Sequence, residues 1–414
     1  MEREAAQRLV AEAVREVRRG SLDEGARGSH VVSLVNAILD TALREAATDI
    51  HLEPISAGLR IRLRVDGLLQ ERPVQLPSEL APVIIARLKV MAGLDTAKRN
   101  RPQDGQIRYR CGGRSIDMRV AVLPVVEGER MVVRIMDAEE RFLSCAELGF
   151  TAHNQELFER LIHRPTGLLL LCGPMNSGKT TTLYAALSAL NEPSCHIMTL
   201  EDPVERRIEG ISQFEVHAEA GLTFLAGLRA ALRQDVQKIL LGEIRDRETA
   251  EMAVRIALTG HALFSTLHTE DTVSAVFRMI EMGIPPYLLA ATLSGVIAQR
   301  LVRRVCVHCR EAYAVPADSR ERVQLGDRYY EGMELVRGRG CEHCHGTGYR
   351  GRMAIHEILP ISARIRTAIL GAGDQEALRC AAAADDMETL WQDGVAKACA
   401  GETTLAEVGR ALYG

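Results

Sequence analysis

Eight consecutive residues, Gly173-Pro174-Met175-Asn176-Ser177-Gly178-Lys179-Thr180, have the spacing G-x-x-x-x-G-K-[ST] of a phosphate-binding loop. The apolar run Leu168-Leu169-Leu170-Leu171-Cys172 directly before them reads as a strand buried on both faces, and Thr181-Thr182-Leu183-Tyr184-Ala185-Ala186-Leu187 directly after them continues as a helix. A glycine loop between strand and helix lets backbone N–H groups at the helix N-terminus converge on phosphate oxygens. In that frame Lys179 bridges the β- and γ-phosphates, Thr180 holds Mg²⁺ through its hydroxyl, and the nucleotide contacts run from Gly173 to Thr181.

Three further apolar runs end in groups suited to act on those phosphates. Ile197-Met198-Thr199-Leu200 leads to Glu201-Asp202-Pro203-Val204-Glu205, Ile239-Leu240-Leu241-Gly242 leads to Glu243, and Ala262-Leu263-Phe264-Ser265-Thr266-Leu267 leads to His268. Open α/β sheets bind ligands at the carboxyl ends of their strands, so these endings are expected to gather around the group held by Lys179. Hydrolysing a γ-phosphate needs clamped phosphates, a water in line, and positive charge where the transition state spreads its negative charge. Glu243 is the best placed to orient that water, or to hold Mg²⁺ through its shell. Glu201, Asp202 and Glu205 form a second acidic group. His268 alone specifies little, since a lone histidine is more often a satisfied core residue.

A second constellation is Cys306-Val307-His308-Cys309 and Cys341-Glu342-His343-Cys344. Two CxxC pairs present thiolates for a tetrahedral Zn²⁺ site, with Cys306, Cys309, Cys341 and Cys344 as the simplest ligand set and His308, His343 and His345 as competitors. The gap of residues 310 to 340 is longer than a zinc ribbon allows and must form its own small structure. Cys111, Cys145, Cys172, Cys195, Cys380 and Cys399 lack such pairing and read as packing residues.

Positioning these groups takes more than one core, and 414 residues suffice for two or three domains. A net charge of −4 argues against a general nucleic-acid binder, so no nucleic-acid partner is expected. No apolar run is long enough to span a bilayer, and Met1-Glu2-Arg3-Glu4 opens nothing like a signal peptide, so a cytoplasmic location with reduced thiols is expected. Residues 1–29 read as a charged, weakly helical arm with a flexible link from Arg18 to Gly28, or as the remnant of another domain. Val31, Leu34, Val35, Ile38, Leu39 and Ala42 recur at helical spacing. Leu59-Arg60-Ile61-Arg62-Leu63-Arg64-Val65 alternates with period two, and Asp66-Gly67 signals a hairpin. The pattern returns around Gly112-Gly113 and in Met131-Val132-Val133-Arg134-Ile135, with helix-forming Ile84, Ile85, Leu88, Val90 and Met91 between. Residues 30–140 are therefore expected to form a small α+β domain with an antiparallel sheet and an arginine-rich outer face. An α/β core follows over 141–300, a cysteine subdomain over 301–352 and a helical region over 353–414, in which Thr404-Leu405-Ala406-Glu407 is expected to be a capping box.

From about Val31 onward the chain resembles the type II/type IV secretion ATPase family, which includes the type IV pilus assembly ATPases. The resemblance rests on Thr48-Asp49-Ile50-His51-Leu52-Glu53-Pro54, Arg64-Val65-Asp66-Gly67, Pro102-Gln103-Asp104-Gly105 and the phosphate loop. It continues in Thr199-Leu200-Glu201-Asp202-Pro203 (the Asp box), Gly242-Glu243-Ile244-Arg245-Asp246 (Walker B) and Ser265-Thr266-Leu267-His268-Thr269 (the His box). Thr347-Gly348-Tyr349-Arg350-Gly351-Arg352 and Ile355-His356-Glu357-Ile358-Leu359 extend it, and His356 favours the type II secretion branch. The resemblance implies a RecA-like P-loop ATPase core with a parallel-rich sheet, a small PAS-like α+β domain before it, and a zinc-knuckle insertion and helical region after it. It also implies ATP, Mg²⁺ and Zn²⁺ as cofactors, Glu243, Glu201, Lys179 and His268 in catalysis, and Asp202 and Glu205 at the nucleotide. Arg119 and Arg134 match the family's γ-phosphate arginines, and Arg229 and Arg233 match a second arginine pair one helical turn apart. The implied protein is a hexameric motor driving pseudopilus assembly and protein export, peripheral to the inner membrane through its platform partners.

Two departures stand out. Met175-Asn176 replaces the family's usual threonine and glycine, and asparagine tolerates left-handed backbone best among non-glycine residues. Val236-Gln237 replaces the usual proline and aspartate before Walker B. Alternatives are a pilus assembly ATPase, a nucleotide-binding module that assembles without hydrolysis, and a nucleic-acid pump.

Overall fold

A computed structural model describes residues 3–18, 27–72, 76–136, 142–316, 318–371 and 374–413. The chain divides into two compact units, Met1–Glu140 and Arg141–Gly414.

The first unit opens with helices α1 (Arg3–Val17) and α2 (Ser29–Arg44), followed by strands β1 (Asp49–Ile55), β2 (Gly58–Val65) and β3 (Leu68–Glu71). Helix α3 (Leu80–Met91) and strands β4 (Gln103–Cys111), β5 (Arg114–Val125) and β6 (Gly128–Met136) complete it. The strands form one antiparallel sheet in the order β3-β2-β1-β6-β5-β4. The turn residues Asp66 and Gly67 take φ of 49° and 84°, and Gly112 and Gly113 take 57° and 82°, the left-handed backbone that two-residue hairpins require. Alternation does the rest, because Leu59, Ile61, Leu63 and Val65 face the helices while Arg60, Arg62 and Arg64 face out. The arm is no solvated tail. Ala13 of α1 is fully buried, and Leu9, Val10, Val14 and Val17 pack on the core of α2, α3 and the sheet. Their spacing gives α1 an apolar stripe that its charged neighbours mask in the sequence. Most of the expected link, residues 19–26, lies outside the described residues.

The second unit begins with α4 (Ala152–Ile162), β7 (Gly167–Cys172), α5 (Lys179–Leu190), β8 (Ile197–Glu201), β9 (Ser212–Glu215), α6 (Phe224–Ala231), β10 (Lys238–Leu241) and α7 (Arg247–Leu258). It continues with β11 (Ala262–Leu267), α8 (Thr272–Glu281), α9 (Pro286–Thr292), β12 (Leu293–Val305), β13 (Arg310–Ala314), α10 (Arg320–Leu325), β14 (Glu334–Gly338) and β15 (Tyr349–Pro360). Helices α11 (Ala363–Leu370), α12 (Gln375–Ala383), α13 (Leu390–Cys399) and α14 (Leu405–Tyr413) close it. A seven-stranded sheet, β15-β12-β7-β11-β10-β8-β9, is parallel except for β15. Leu168, Leu170 and Cys172 of β7 join a core with α7, α8 and α9, while Leu169 and Leu171 join another with α4 and α5. A strand with both faces covered must be apolar throughout, which is why β7 reads as an unbroken leucine run.

The expected limits at 300/301 and 352/353 fall inside β12 and β15, so the cysteine segment is an excursion from two strands of the main sheet. Its residues Val315, Leu325, Met333 and Leu335 share a core with Val395, Ala398 and Leu405 of the last helices. Helix α13 also covers the open edge of β15. Asp393 accepts the His356 N–H at 2.6 Å, and Lys397 donates to Ala354 O at 2.8 Å and to Asp393 at 2.7 Å. This buried ion pair satisfies edge groups that would otherwise lack partners. The expected capping box is only half made. Thr404 accepts from the Glu407 N–H, but the Glu407 carboxylate binds Arg303 and Arg410 instead.

Candidate nucleotide site and cysteine cluster

The loop between β7 and α5 takes the conformation its glycines permit. Gly173 and Gly178 have φ of 152° and 88°, and Asn176 sits at 62° while Met175 is 80% exposed. Asparagine thus occupies a left-handed position without breaking the loop, as its side chain allows. Lys179 is buried, with Nζ donating to Gly173 O at 2.7 Å and Pro174 O at 2.9 Å. Burial pushes its ammonium down to about 8, and the charge of Arg300 adds to this while that of Glu243 opposes it. Ser177 Oγ is buried without a hydrogen-bond partner. An orphaned hydroxyl beside a buried lysine suits an anionic ligand.

Glu243 follows β10 and reaches a guanidinium and an imidazole. Arg245 donates to its Oε1, and His268, after β11, lies 3.2 Å from its Oε2. Burial opposes its charge, but the hydrogen bond and charge of Arg245 and the contact with His268 outweigh this and hold its carboxyl below the usual range. Asp202 adds its charge to that of Glu243 on Arg245. Lys179, Glu243, His268, Arg245 and Asp202 therefore belong to one electrostatic neighbourhood.

Glu201 stands apart from that group. It is buried, accepting from Thr199 Oγ1 at 2.5 Å, Gln213 Nε2 at 3.2 Å and the Tyr184 hydroxyl. Glu205 is exposed. Thr180 and Thr181 open α5, with Thr180 half-buried and Thr181 exposed. Arg229 on α6 and Arg233 in the turn after it are both exposed, and neither makes an ion pair among the described residues. In the substituted pair, Val236 packs into the core and Gln237 Oε1 accepts the His196 N–H at 2.6 Å.

The outer sheet face of the first unit is not uniformly basic. Asp49 binds Arg134 at 3.1 Å and Arg64 at 3.4 Å, and Glu53 binds Arg60, Arg62 and Arg130 at 2.9, 2.6 and 3.1 Å. Arg119 lies directly opposite Arg134 on the neighbouring strand. Facing like charges repel, and here only Arg134 has a carboxylate, leaving Arg119 without an ion pair among the described residues.

The cysteine cluster is compact. The Sγ atoms of Cys306, Cys309, Cys341 and Cys344 all lie within 4.8 Å of one another, with pairs at 3.9, 3.8 and 3.7 Å. A tetrahedral Zn²⁺ with bonds of about 2.3 Å needs sulfur pairs about 3.8 Å apart, so the four thiols fit the ion. Burial opposes ionisation of Cys344, but N–H groups of Cys341 and Gly348, 3.1 and 3.2 Å from its sulfur, more than offset it and lower its thiol. His308 and His343 stack on each other at 4.0 Å instead of entering the cluster. Glycines permit the crossing of chains here, since a Cβ on Gly338 would lie 2.0 Å from Gly348 O. Among the remaining cysteines, Cys172 is buried as a packing residue, whereas Cys380 is exposed, contrary to expectation.

Sequence reasoning gave no role to Arg245, Tyr184 or Gln299. Arg245 was visible as the residue two positions past Glu243, on the same side of an extended segment. Gln299 was visible as a polar residue inside the run Val296 to Val302.

A parallel sheet with a glycine loop and buried lysine after one strand, and a paired carboxylate after another, defines a P-loop nucleotide-binding core. The profile of the family described as Type II/IV secretion system protein matches residues 24–410, and the chain belongs to that family. It is 46% identical over 389 residues to type II secretion system protein E of Dickeya dadantii (strain 3937), covering 94% of this chain and 76% of that protein. It is 42% identical over 388 residues to the type IV pilus assembly ATPase PilB of Thermus thermophilus, covering 94% of this chain but 43% of that one. Among solved structures, the pilus retraction motor PilT with bound ADP aligns with a TM-score of 0.59 at 25% identity, over 90% of this chain and 95% of that one. No helix among the described residues is long and apolar enough to cross a membrane.

Proposed function

We propose that the chain is an ATP-hydrolysing motor of type II secretion, working as a hexamer to drive pseudopilus assembly and protein export. The observation that carries this reading is Glu243, a carboxylate kept charged by Arg245 and His268 at the end of a strand parallel to the one that delivers the phosphate loop. A charged, oriented carboxylate beside Lys179 favours hydrolysis over nucleotide binding alone. Glu243 orients the attacking water, the loop residues and Lys179 hold the phosphates, and Thr180 would hold Mg²⁺ through its hydroxyl. Arg119, Arg229 and Arg233 make no ion pair among the described residues, and Arg134 would have to share its charge with Asp49; in the turnover-competent assembly the four supply charge to the γ-phosphate. Asp202 tunes Arg245, and Glu201, held by Tyr184 and Thr199, fixes the end of β8 against α5. Mg²⁺ supplies charge neutralisation of the phosphates when bound.

The secretion branch is favoured by identity and coverage, 46% and 76% of the relative against 42% and 43% for the pilus protein. Inner-membrane platform proteins are the proposed partners and the cytoplasmic face the proposed location. Deleting the gene in its host and measuring both exported proteins and surface pili tests this. Loss of export with pili intact is expected, and intact export with pili lost overturns the assignment.

Lys179 makes nucleotide affinity depend on pH. Phosphate binds the ammonium form, and the free loop holds that form only up to about 8. Binding therefore takes up a proton above that pH, and ADP affinity is expected to be nearly flat below it and to fall up to about tenfold per pH unit above it. Calorimetric titration from pH 7 to 9.5 reads the slope, and a flat profile contradicts it. In the nucleotide-free chain the sign reverses: the unfolded lysine keeps its proton up to 10.5, so this group favours folding more as pH rises through that window.

A further inference from the structure

Strand β12 lies in the interior of the sheet, yet it carries two polar residues in succession, Gln299 and Arg300. Neighbouring residues of a strand face opposite sides. Arg300 turns toward the loop carrying His268 and donates to Glu270 O at 2.9 Å. Gln299, only 2% exposed, turns to the phosphate loop. Its Nε2 donates to Ser177 O at 2.8 Å, and its Oε1 accepts from Thr182 Oγ1 of α5 at 2.7 Å. A carbonyl can only accept, so the amide has one productive orientation.

The peptide joining Ser177 to Gly178 is planar and trans, so its C=O and its N–H point in opposite directions. By drawing Ser177 O toward β12, Gln299 turns the Gly178 N–H away from it. Strand β12 walls off the near side: a Cβ on Gly173 would meet Gln299 O at 2.5 Å, and one on Gly178 would meet Gln299 Nε2 at 2.7 Å. The far side is therefore the one left for a phosphate, whose oxygens meet backbone N–H groups at a helix N-terminus. Rotation of this plane is otherwise easy, because Gly178, at φ 88°, has no side chain to resist it.

We propose that Gln299 is a positioning residue for nucleotide binding, locking the Ser177–Gly178 peptide so that its N–H stays aimed at the phosphates. The proposal rests on the ATPase reading and goes beyond it in naming what sets the loop.

The test is calorimetric titration of the full chain with ADP and Mg²⁺, paired with the unfolding midpoint measured without nucleotide. Gln299→Met fills the same space without either hydrogen bond; it is expected to lower the midpoint by a few degrees and, because the nucleotide must then itself order the loop, to weaken ADP by about tenfold. Gln299→Glu keeps the acceptor for Thr182 but sets oxygen against oxygen at Ser177, and is expected to show a similar loss at pH 8. At pH 6 its affinity relative to the parent should partly return, since a protonated carboxyl regains a donor. Lys179 and Arg300 bring positive charge here, Glu243 acts on Lys179, Glu270, Asp271 and Glu357 act on Arg300, and His356, opposite on β15, is held neutral by burial. Affinity of Gln299→Met within about twofold of the parent overturns the proposal, as does a loss with no pH response in Gln299→Glu. A parent chain that does not bind ADP removes the ATPase reading and this proposal together, a result distinct from failure at Gln299 alone.

Discussion

Glu243→Gln is expected to lower ATP turnover by on the order of 10³-fold while leaving ADP affinity within several-fold of the parent. The substitution keeps the shape of the side chain and an oxygen for Arg245, but removes the charge that would orient and polarise a water. In the parent that charge is protected, because Arg245 and His268 together outweigh burial and keep the carboxyl ionised. Its field also reaches Lys179, so the variant should bind nucleotide through a lysine somewhat easier to deprotonate. Steady-state phosphate release beside calorimetric binding separates the two effects. Equal loss of binding and turnover would mean that Glu243 builds the pocket and takes no special part in the reaction.

Stripping the metal from the cysteine cluster, or Cys306→Ser, is expected to loosen residues 306–349 and the helices they rest on. About one Zn²⁺ per chain should be found in protein purified without chelator. The cluster has little else to hold it, since its core is the four cysteines themselves. The strain of losing it would pass to Val315, Leu325, Met333 and Leu335, which share their core with α13 and α14. Each 1 kcal/mol lost should lower the midpoint of a unit of this size by about 2 °C. Limited proteolysis should cut first between the two CxxC pairs. Absence of zinc, or unchanged proteolysis in Cys306→Ser, would contradict a structural metal.

Much of the second unit was legible because its physics is local. The β7 leucine run, the glycine loop and the period-two hairpins of the first unit each declare an element through spacing alone, and the two CxxC pairs declare a ligand set. What escaped detection depended on contacts between distant residues. Helix α1 hides its apolar stripe among charges. The carboxylates Asp49 and Glu53 lie in a different strand from the arginines they neutralise, so the alternating pattern of β2 suggested a purely basic face. Glu201 and Glu243 end similar strands, and the sequence places both near the phosphates without showing how differently they are held. Tyr184, from α5, saturates one, while Arg245 and His268 charge the other. Glu407 looked like a capping residue until Arg303, over a hundred positions away, took its carboxylate.

Phosphate release from ATP by the full chain, with and without Mg²⁺ and beside Lys179→Ala, tests most directly whether the loop from Gly173 to Thr180 serves hydrolysis. The predicted result is release that requires both ATP and Mg²⁺ and vanishes in Lys179→Ala. Release by Lys179→Ala at the parent rate would contradict it.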